Sequence, residues 1–140
     1  MDKAKILVVE DDDFLREVYV ETLSGEGYHI DTAIDGEEGK QKIKQGGYDL
    51  ILLDIVLPKI DGLAIMRQLK TEGATFPNKK VLFLTNLDKD EEIKEALELG
   101  DGYLIKSQLT PGDIIRETNL YLSKNETATK ADEANGSALA

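Results

Sequence analysis

An α/β fold on a five-stranded parallel sheet is what this sequence predicts, and three observations predict it. Ile6-Leu7-Val8-Val9, Leu50-Ile51-Leu52-Leu53 and Val81-Leu82-Phe83-Leu84 are apolar without alternation. Runs of that length, bounded by turn residues, read as strands buried on both faces. Most stretches between strands space their apolar residues helically, and glycines and capping residues mark the junctions. Strand and helix alternate five times, which calls for parallel strands joined by helical crossovers.

The chain has 140 residues, 41% of them apolar, enough for one core and one domain. Its formal net charge is −11, from 28 acidic and 17 basic residues. That balance disfavours nucleic acid as a partner, because nucleic acid needs a basic surface. There are no cysteines, so disulfides, thiol chemistry and thiolate zinc sites are excluded, and a cytoplasmic setting fits. The first apolar run is too short for a signal-peptide core or a membrane span, so no membrane insertion is expected.

In order, the first strand is 5–9 and ends in Glu10-Asp11-Asp12-Asp13. Asp12 or Asp13 caps the helix that follows, with Phe14, Leu15, Val18, Tyr19 and Leu23 on one face and Gly25 and Gly27 at its end. A short second strand covers 29–33, and its His29 reads as a surface or structural residue. The helix over 36–45 is weakly specified and is expected to be the loosest. Ile43 is its only large apolar residue, and Gly39 inside it costs about 1 kcal/mol relative to Ala.

The third strand ends in Asp54 and a turn containing Pro58 and Gly62. Leu63, Ile65, Met66 and Leu69 mark a helix to about Thr71. The fourth strand ends in Thr85. Asp88 or Asp90 starts an acidic helix that buries Ile93, Ala96 and Leu97, with Leu99 at the margin, and Gly100 closes it. The fifth strand, 102–105, ends in Lys106. Thr110 caps a last helix with Pro111 at its first position and a stripe of Ile114, Ile115, Thr118, Tyr121 and Leu122. From 124 to 140 the composition turns to Ala, Thr, Asn, Glu and Lys, which reads as a disordered tail after a domain of residues 1–123.

A parallel sheet brings its carboxyl strand ends to one edge, where ligands of open α/β sheets bind. That edge receives Glu10 and Asp11, then Asp54, Thr85 and Lys106, while the second strand delivers nothing ionisable. The residues themselves do not dictate a strand order. In the common doubly wound order 2-1-3-4-5, the four contributing strands are neighbours. Alone, Asp54 would be a strand-end residue capping its own turn. The other strand ends overturn that. Three crowded carboxylates need a cation, and oxygen ligands favour Mg²⁺ or Mn²⁺. An opposing Lys and a hydroxyl suit a phosphoryl group, so the set reads as phosphoryl transfer onto Asp54.

These residues resemble the receiver domain of two-component response regulators over about 5–123. The resemblance rests on ILVVED at 6–11, LLDIVLPKIDG at 52–62, FLT at 83–85 and GYLIK at 102–106. It implies a (βα)5 flavodoxin-like fold and a switch that is not a turnover enzyme. It implies that Asp54 accepts the phosphoryl group from a histidine kinase or phosphotransfer protein. Asp11 would ligate Mg²⁺, with Glu10 at or near it and the backbone carbonyl of Val56 completing the protein ligands. Lys106 would contact the phosphoryl group, and Thr85 and Tyr103 would form the switch. Asn86 and Leu87 would line the pocket. With no output domain following in this chain, it is expected to be a stand-alone, chemotaxis-type receiver acting on an unidentified protein target.

Two departures stand out. The family usually has Pro after the Lys, often through a cis bond, and this chain has Ser107. A cis non-proline bond costs roughly 3 kcal/mol, so trans is expected. Where the family has a small residue after the switch Thr, this chain has Asn86. The competing reading is a pseudo-receiver, an interaction module never phosphorylated; the intact acids, Thr85 and Lys106 argue against it. A haloacid-dehalogenase-type phosphatase would want a second Asp where Val56 stands. A flavin carrier is disfavoured by the acidic, glycine-free first junction.

Overall fold

A computed structural model describes residues 3–86 and 90–123. The pocket-lining expectation for Leu87, the helix start at Asp88 and the tail over 124–140 lie outside the described residues. The elements are β1 (Lys5–Val9), α1 (Asp13–Gly25), β2 (His29–Ala33), α2 (Gly36–Gln45), β3 (Leu50–Asp54), α3 (Gly62–Glu72), β4 (Lys80–Thr85), α4 (Asp90–Leu99), β5 (Gly102–Ile105), a 3₁₀ turn (Lys106–Gln108) and α5 (Pro111–Ser123). The strands form one parallel sheet in the order β2-β1-β3-β4-β5.

The unbroken apolar runs are buried because both sheet faces are covered, and alternation within each strand sorts the residues. Leu7, Val9, Ile51, Leu53, Val81 and Phe83 meet Ile43, Leu63, Ile65, Leu69 and Ala96 from α2, α3 and α4. Ile6, Val8, Leu50, Leu52, Leu82 and Leu84 meet Tyr19, Leu23 and Ile114 from α1 and α5.

The helix ends follow local chemistry. Asp12, not Asp13, caps α1, its Oδ1 accepting the N–H of Leu15 at 2.9 Å. Asp35 and Asp61 cap α2 and α3 in the same way. Thr110 and Asp113 form a reciprocal box at α5: Thr110 Oγ1 accepts the Asp113 N–H at 3.1 Å, and Asp113 Oδ2 accepts the Thr110 N–H at 2.9 Å.

Two apolar assignments are corrected. Phe14, in the first turn of α1, is 73% exposed. Leu97 is 54% exposed, because Ile93, Ala96 and Leu99 take the inward stripe of α4 and the next residue is turned about 100° away. Gly39 proves to have a packing reason. A Cβ there would lie 2.8 Å from Cγ1 of Val9, so its absence lets α2 approach the sheet.

Gly36 positions the site. A Cβ there would fall 1.7 Å from the carbonyl oxygen of Ile60, and its N–H donates to the Pro58 carbonyl at 3.0 Å. The start of α2 thus rests directly on the turn that follows Asp54. Gly36→Ala should destabilise the protein by about 2–3 kcal/mol through overpacking against rigid backbone. Gly25→Ala, where nothing lies within 4 Å, should be neutral or stabilise by up to about 1 kcal/mol. Urea unfolding of the two variants checks this; equal costs would refute the contact.

Candidate functional site

Register sets the site before any side chain is considered. Val9 pairs with Leu53, Asp54 with Leu84, and Thr85 with Ile105. Glu10 therefore leaves β1 level with Asp54, and Lys106 leaves β5 just beyond Thr85. Glu10, Asp54 and Thr85 are buried, at 0%, 3% and 1% exposure, while Asp11 is exposed at the rim.

Lys106 joins the acids. Its Nζ lies 2.7 Å from Oδ2 of Asp54, to which it donates a hydrogen bond, and 2.7 Å from Oε1 of Glu10. The second contact is an ion pair by distance without hydrogen-bond geometry, so buried Oε1 retains acceptor capacity. Oε2 of Glu10 accepts the Asp12 N–H at 3.1 Å, and Oδ1 of Asp54 accepts the Val56 N–H at 3.2 Å. Every peptide bond described is trans, including Lys106–Ser107. The departure at Ser107 therefore leaves the lysine on the acids, with the 3₁₀ turn closed by Leu109 N–H donating to the Lys106 carbonyl at 3.2 Å.

The electrostatics follow from burial. Desolvation, opposed by Lys106 and reinforced by the charge of Asp54, raises Glu10 to a pKa of about 7. Burial works against the charge on Lys106, but its contacts to Asp54 and Glu10 outweigh that and raise its pKa above the ordinary lysine value. Tyr19, under the site on the α1 side, is pushed up to about 12 by burial first and then by the charge of Glu10.

Glu10, Asp11 and Asp54 each offer an oxygen, and these oxygens lie within 4.8 Å of one another. When ionised they carry three negative charges against the one positive charge of Lys106. The remainder, together with the open lone pair of Glu10, fits a hard divalent cation bound by oxygen. Three more expected residues lie within or just after the strands that end here. Val56 is 60% exposed on the rim, and the hydrogen bond found there runs from its N–H to Asp54. Asn86 is exposed directly after Thr85. Tyr103 is half-buried and packs against the cluster that contains Phe83 and Ala96.

Sequence reasoning missed two groups. Arg16 donates from Nη1 to the backbone carbonyl of Glu10 at 2.9 Å. Lys59, at φ 73°, pairs with Asp35 at 3.2 Å and ties the turn after Asp54 to the start of α2. Its position within PKIDG marked a turn but not a cross-link. The only signal for Arg16 was its helical offset of three from Asp13.

In metal-free protein, folded Glu10 keeps its proton to about pH 7, against an ordinary value of 4.5. The folded state then binds more protons across that window, so this group's contribution to stability falls as pH rises through it. Glu10→Gln should match the parent below pH ~4.5 and exceed it by roughly 3 kcal/mol above pH ~7, in urea unfolding with a chelator present. A difference that does not change with pH would refute the assignment.

Comparison with known proteins agrees with this geometry. The family model described as the response regulator receiver domain matches residues 6–119. The alkaline phosphatase synthesis transcriptional regulatory protein PhoP of Bacillus subtilis is 35% identical over 130 residues, covering 92% of this chain and 52% of that protein. The chain thus spans about half the length of that curated relative. The solved receiver domain of the Francisella response regulator 1452 superposes with a TM-score of 0.75 at 28% identity, covering 86% of this chain and 97% of that one. TrrA of Thermotoga maritima, solved in complex with Mg²⁺–BeF, gives a TM-score of 0.70 at 32% identity, covering 86% and 99%. With a buried Asp–Lys pair, an acidic cluster at the carboxyl edge and a family match over most of its length, the chain belongs to the response regulator receiver domain family.

Proposed function

We propose that this chain takes a phosphoryl group from a phosphohistidine onto Asp54 with Mg²⁺, and that the modification changes its binding to a partner protein. The observation that carries this reading is the Lys106 ammonium 2.7 Å from the Asp54 carboxylate, beside two further acids. A carboxylate oxygen of Asp54 forms the new O–P bond as the N–P bond breaks, and that electron pair goes to the imidazole nitrogen. Lys106 supplies a fixed positive charge for the phosphoryl oxygens. Thr85 donates its hydroxyl to one of them, and Tyr103 responds by turning inward. Glu10, Asp11, Asp54 and the backbone carbonyl of Val56 would hold Mg²⁺, which when bound offsets the repulsion between Asp54 and the incoming phosphate. The oxygen-only ligand set would also accept Mn²⁺. Support comes from TrrA, a family relative solved with Mg²⁺–BeF.

The donor is a histidine kinase or a phosphotransfer protein, and the receiver of the signal is a protein, consistent with a net charge of −11. A cytoplasmic setting suits that exchange, and among the described residues no helix is long and apolar enough to cross a membrane.

Asp54→Asn should abolish acid-labile phosphate incorporation from acetyl phosphate and leave the fold intact. Mg²⁺ at a hundredfold excess over its dissociation constant should stabilise the parent by about 2.7 kcal/mol, beyond the effect of a sodium salt at equal ionic strength. Asp11→Ala should lose most of that gain. Phosphate incorporation undiminished in Asp54→Asn would reject the acceptor, and Mg²⁺ acting no differently from sodium would leave an unphosphorylated interaction module as the better account.

Val56 sets a further expectation, because it borders the line along which water attacks the phosphorus. Its apolar side chain cannot hold that water by a hydrogen bond. The phosphorylated form should be long-lived, and Val56→Asn should speed its hydrolysis roughly tenfold, the equivalent of one hydrogen bond at about 1.4 kcal/mol. Decay of phospho-Asp54 in Mg²⁺ without a phosphatase measures this; loss from the parent within seconds would refute it.

A further inference from the structure

We propose that Arg16 is a positioning residue for the metal: it holds the Glu10–Asp11 peptide in the orientation that lets Asp11 reach the cation. The inference rests on the metal site proposed above. Its basis is how the β1–α1 junction is tied. Glu10 donates its N–H to the Ala33 carbonyl at 3.1 Å, and its Oε2 accepts the Asp12 N–H at 3.1 Å. Asp12 in turn caps α1 and accepts the Arg16 N–H on its carbonyl at 2.9 Å. The peptide between Glu10 and Asp11 is fixed through its carbonyl oxygen, which accepts Nη1 of Arg16 at 2.9 Å.

That peptide plane matters because Asp11 is the exposed member of the acidic set. Rotation of the plane would swing its carboxylate while Glu10 and Asp54, both buried, stayed in place. The guanidinium itself is held. Its Nη2 pairs with Asp13 at 2.5 Å, and its side chain is 18% exposed. One guanidinium thus reaches back from the helix to the backbone of the strand end, a two-armed geometry that a lysine ammonium does not reproduce.

A simpler reading exists in which Arg16 is only a nearby positive charge, and the two readings predict opposite signs. A bare charge repels a divalent cation, so its removal would tighten binding. A positioning role means that its removal weakens binding, and groups that orient metal ligands typically change metal affinity by 10–100-fold.

The test is Mg²⁺ titration by calorimetry of the full chain, unphosphorylated, at fixed ionic strength. Arg16→Ala and Arg16→Lys should each weaken Mg²⁺ binding about tenfold or more. Asp13→Ala, which removes one arm of the guanidinium and leaves the bond to the Glu10 carbonyl, should weaken binding less than either Arg16 substitution. Arg16→Ala binding as well as or better than the parent, or Arg16→Lys binding like the parent, overturns the inference. Should Arg16→Ala fail to fold, Arg16→Lys decides the matter alone. A parent that binds no Mg²⁺ overturns the metal site itself, which is a separate outcome.

Discussion

The ammonium of Lys106 sits 2.7 Å from Glu10 and 2.7 Å from Asp54, in a place where burial opposes the charge of Glu10. The rest of the site depends on that contact. A buried charge left without its partner is strongly destabilising, so each of the three groups constrains where the others stand. The arrangement also has unequal members. Glu10, with no exposed surface, is pushed up to about 7, whereas Asp11 remains at the rim. A divalent cation entering from solvent would meet Asp11 first, because Glu10 and Asp54 are buried behind it.

Backbone geometry delivers these groups. Neighbouring strands of a parallel sheet end at one edge, and register brings Glu10, Asp54 and Thr85 to the same level there. Two supports then hold the loops. On one side the amino end of α2 lies against the turn after Asp54, with Gly36 allowing backbone contact and Lys59 pairing with Asp35. Lys59 adopts a left-handed backbone that is uncommon for a residue with a Cβ. Its ion pair is surface-exposed and worth little by itself. The close packing of Gly36 on Ile60 is therefore the stronger support. On the other side Arg16 fastens the strand end of β1 to the first turns of α1.

The departure at Ser107 shows how a local rule can change without moving the chemistry. The trans peptide there enters a 3₁₀ turn directly after β5, and Lys106 still projects onto the acids. The strand end and the pull of two carboxylates, not the residue that follows, determine where the ammonium goes.

Much of this was legible in the residues themselves. Unbroken apolar runs name buried strands, Asp and Thr before helices name their caps, and a parallel sheet then obliges the strand-end residues to meet. The chemistry of those residues, oxygen ligands with one lysine, already points to a hard cation and a phosphoryl group. What the residues did not carry is anything that depends on how far apart non-local groups end up. Phe14 and Leu97 are apolar residues of amphipathic helices, yet both are largely exposed. Gly39 looks like a weakness in its helix until Val9 is seen 2.8 Å from where its Cβ would be. The bond from Arg16 to a backbone carbonyl leaves no trace in residue type, because a main-chain acceptor has no sequence identity. The titration of Glu10 also depends on tertiary structure: the same carboxyl, solvated, would be an ordinary acid, and burial first, then the charge of Asp54, raise it against the pull of Lys106.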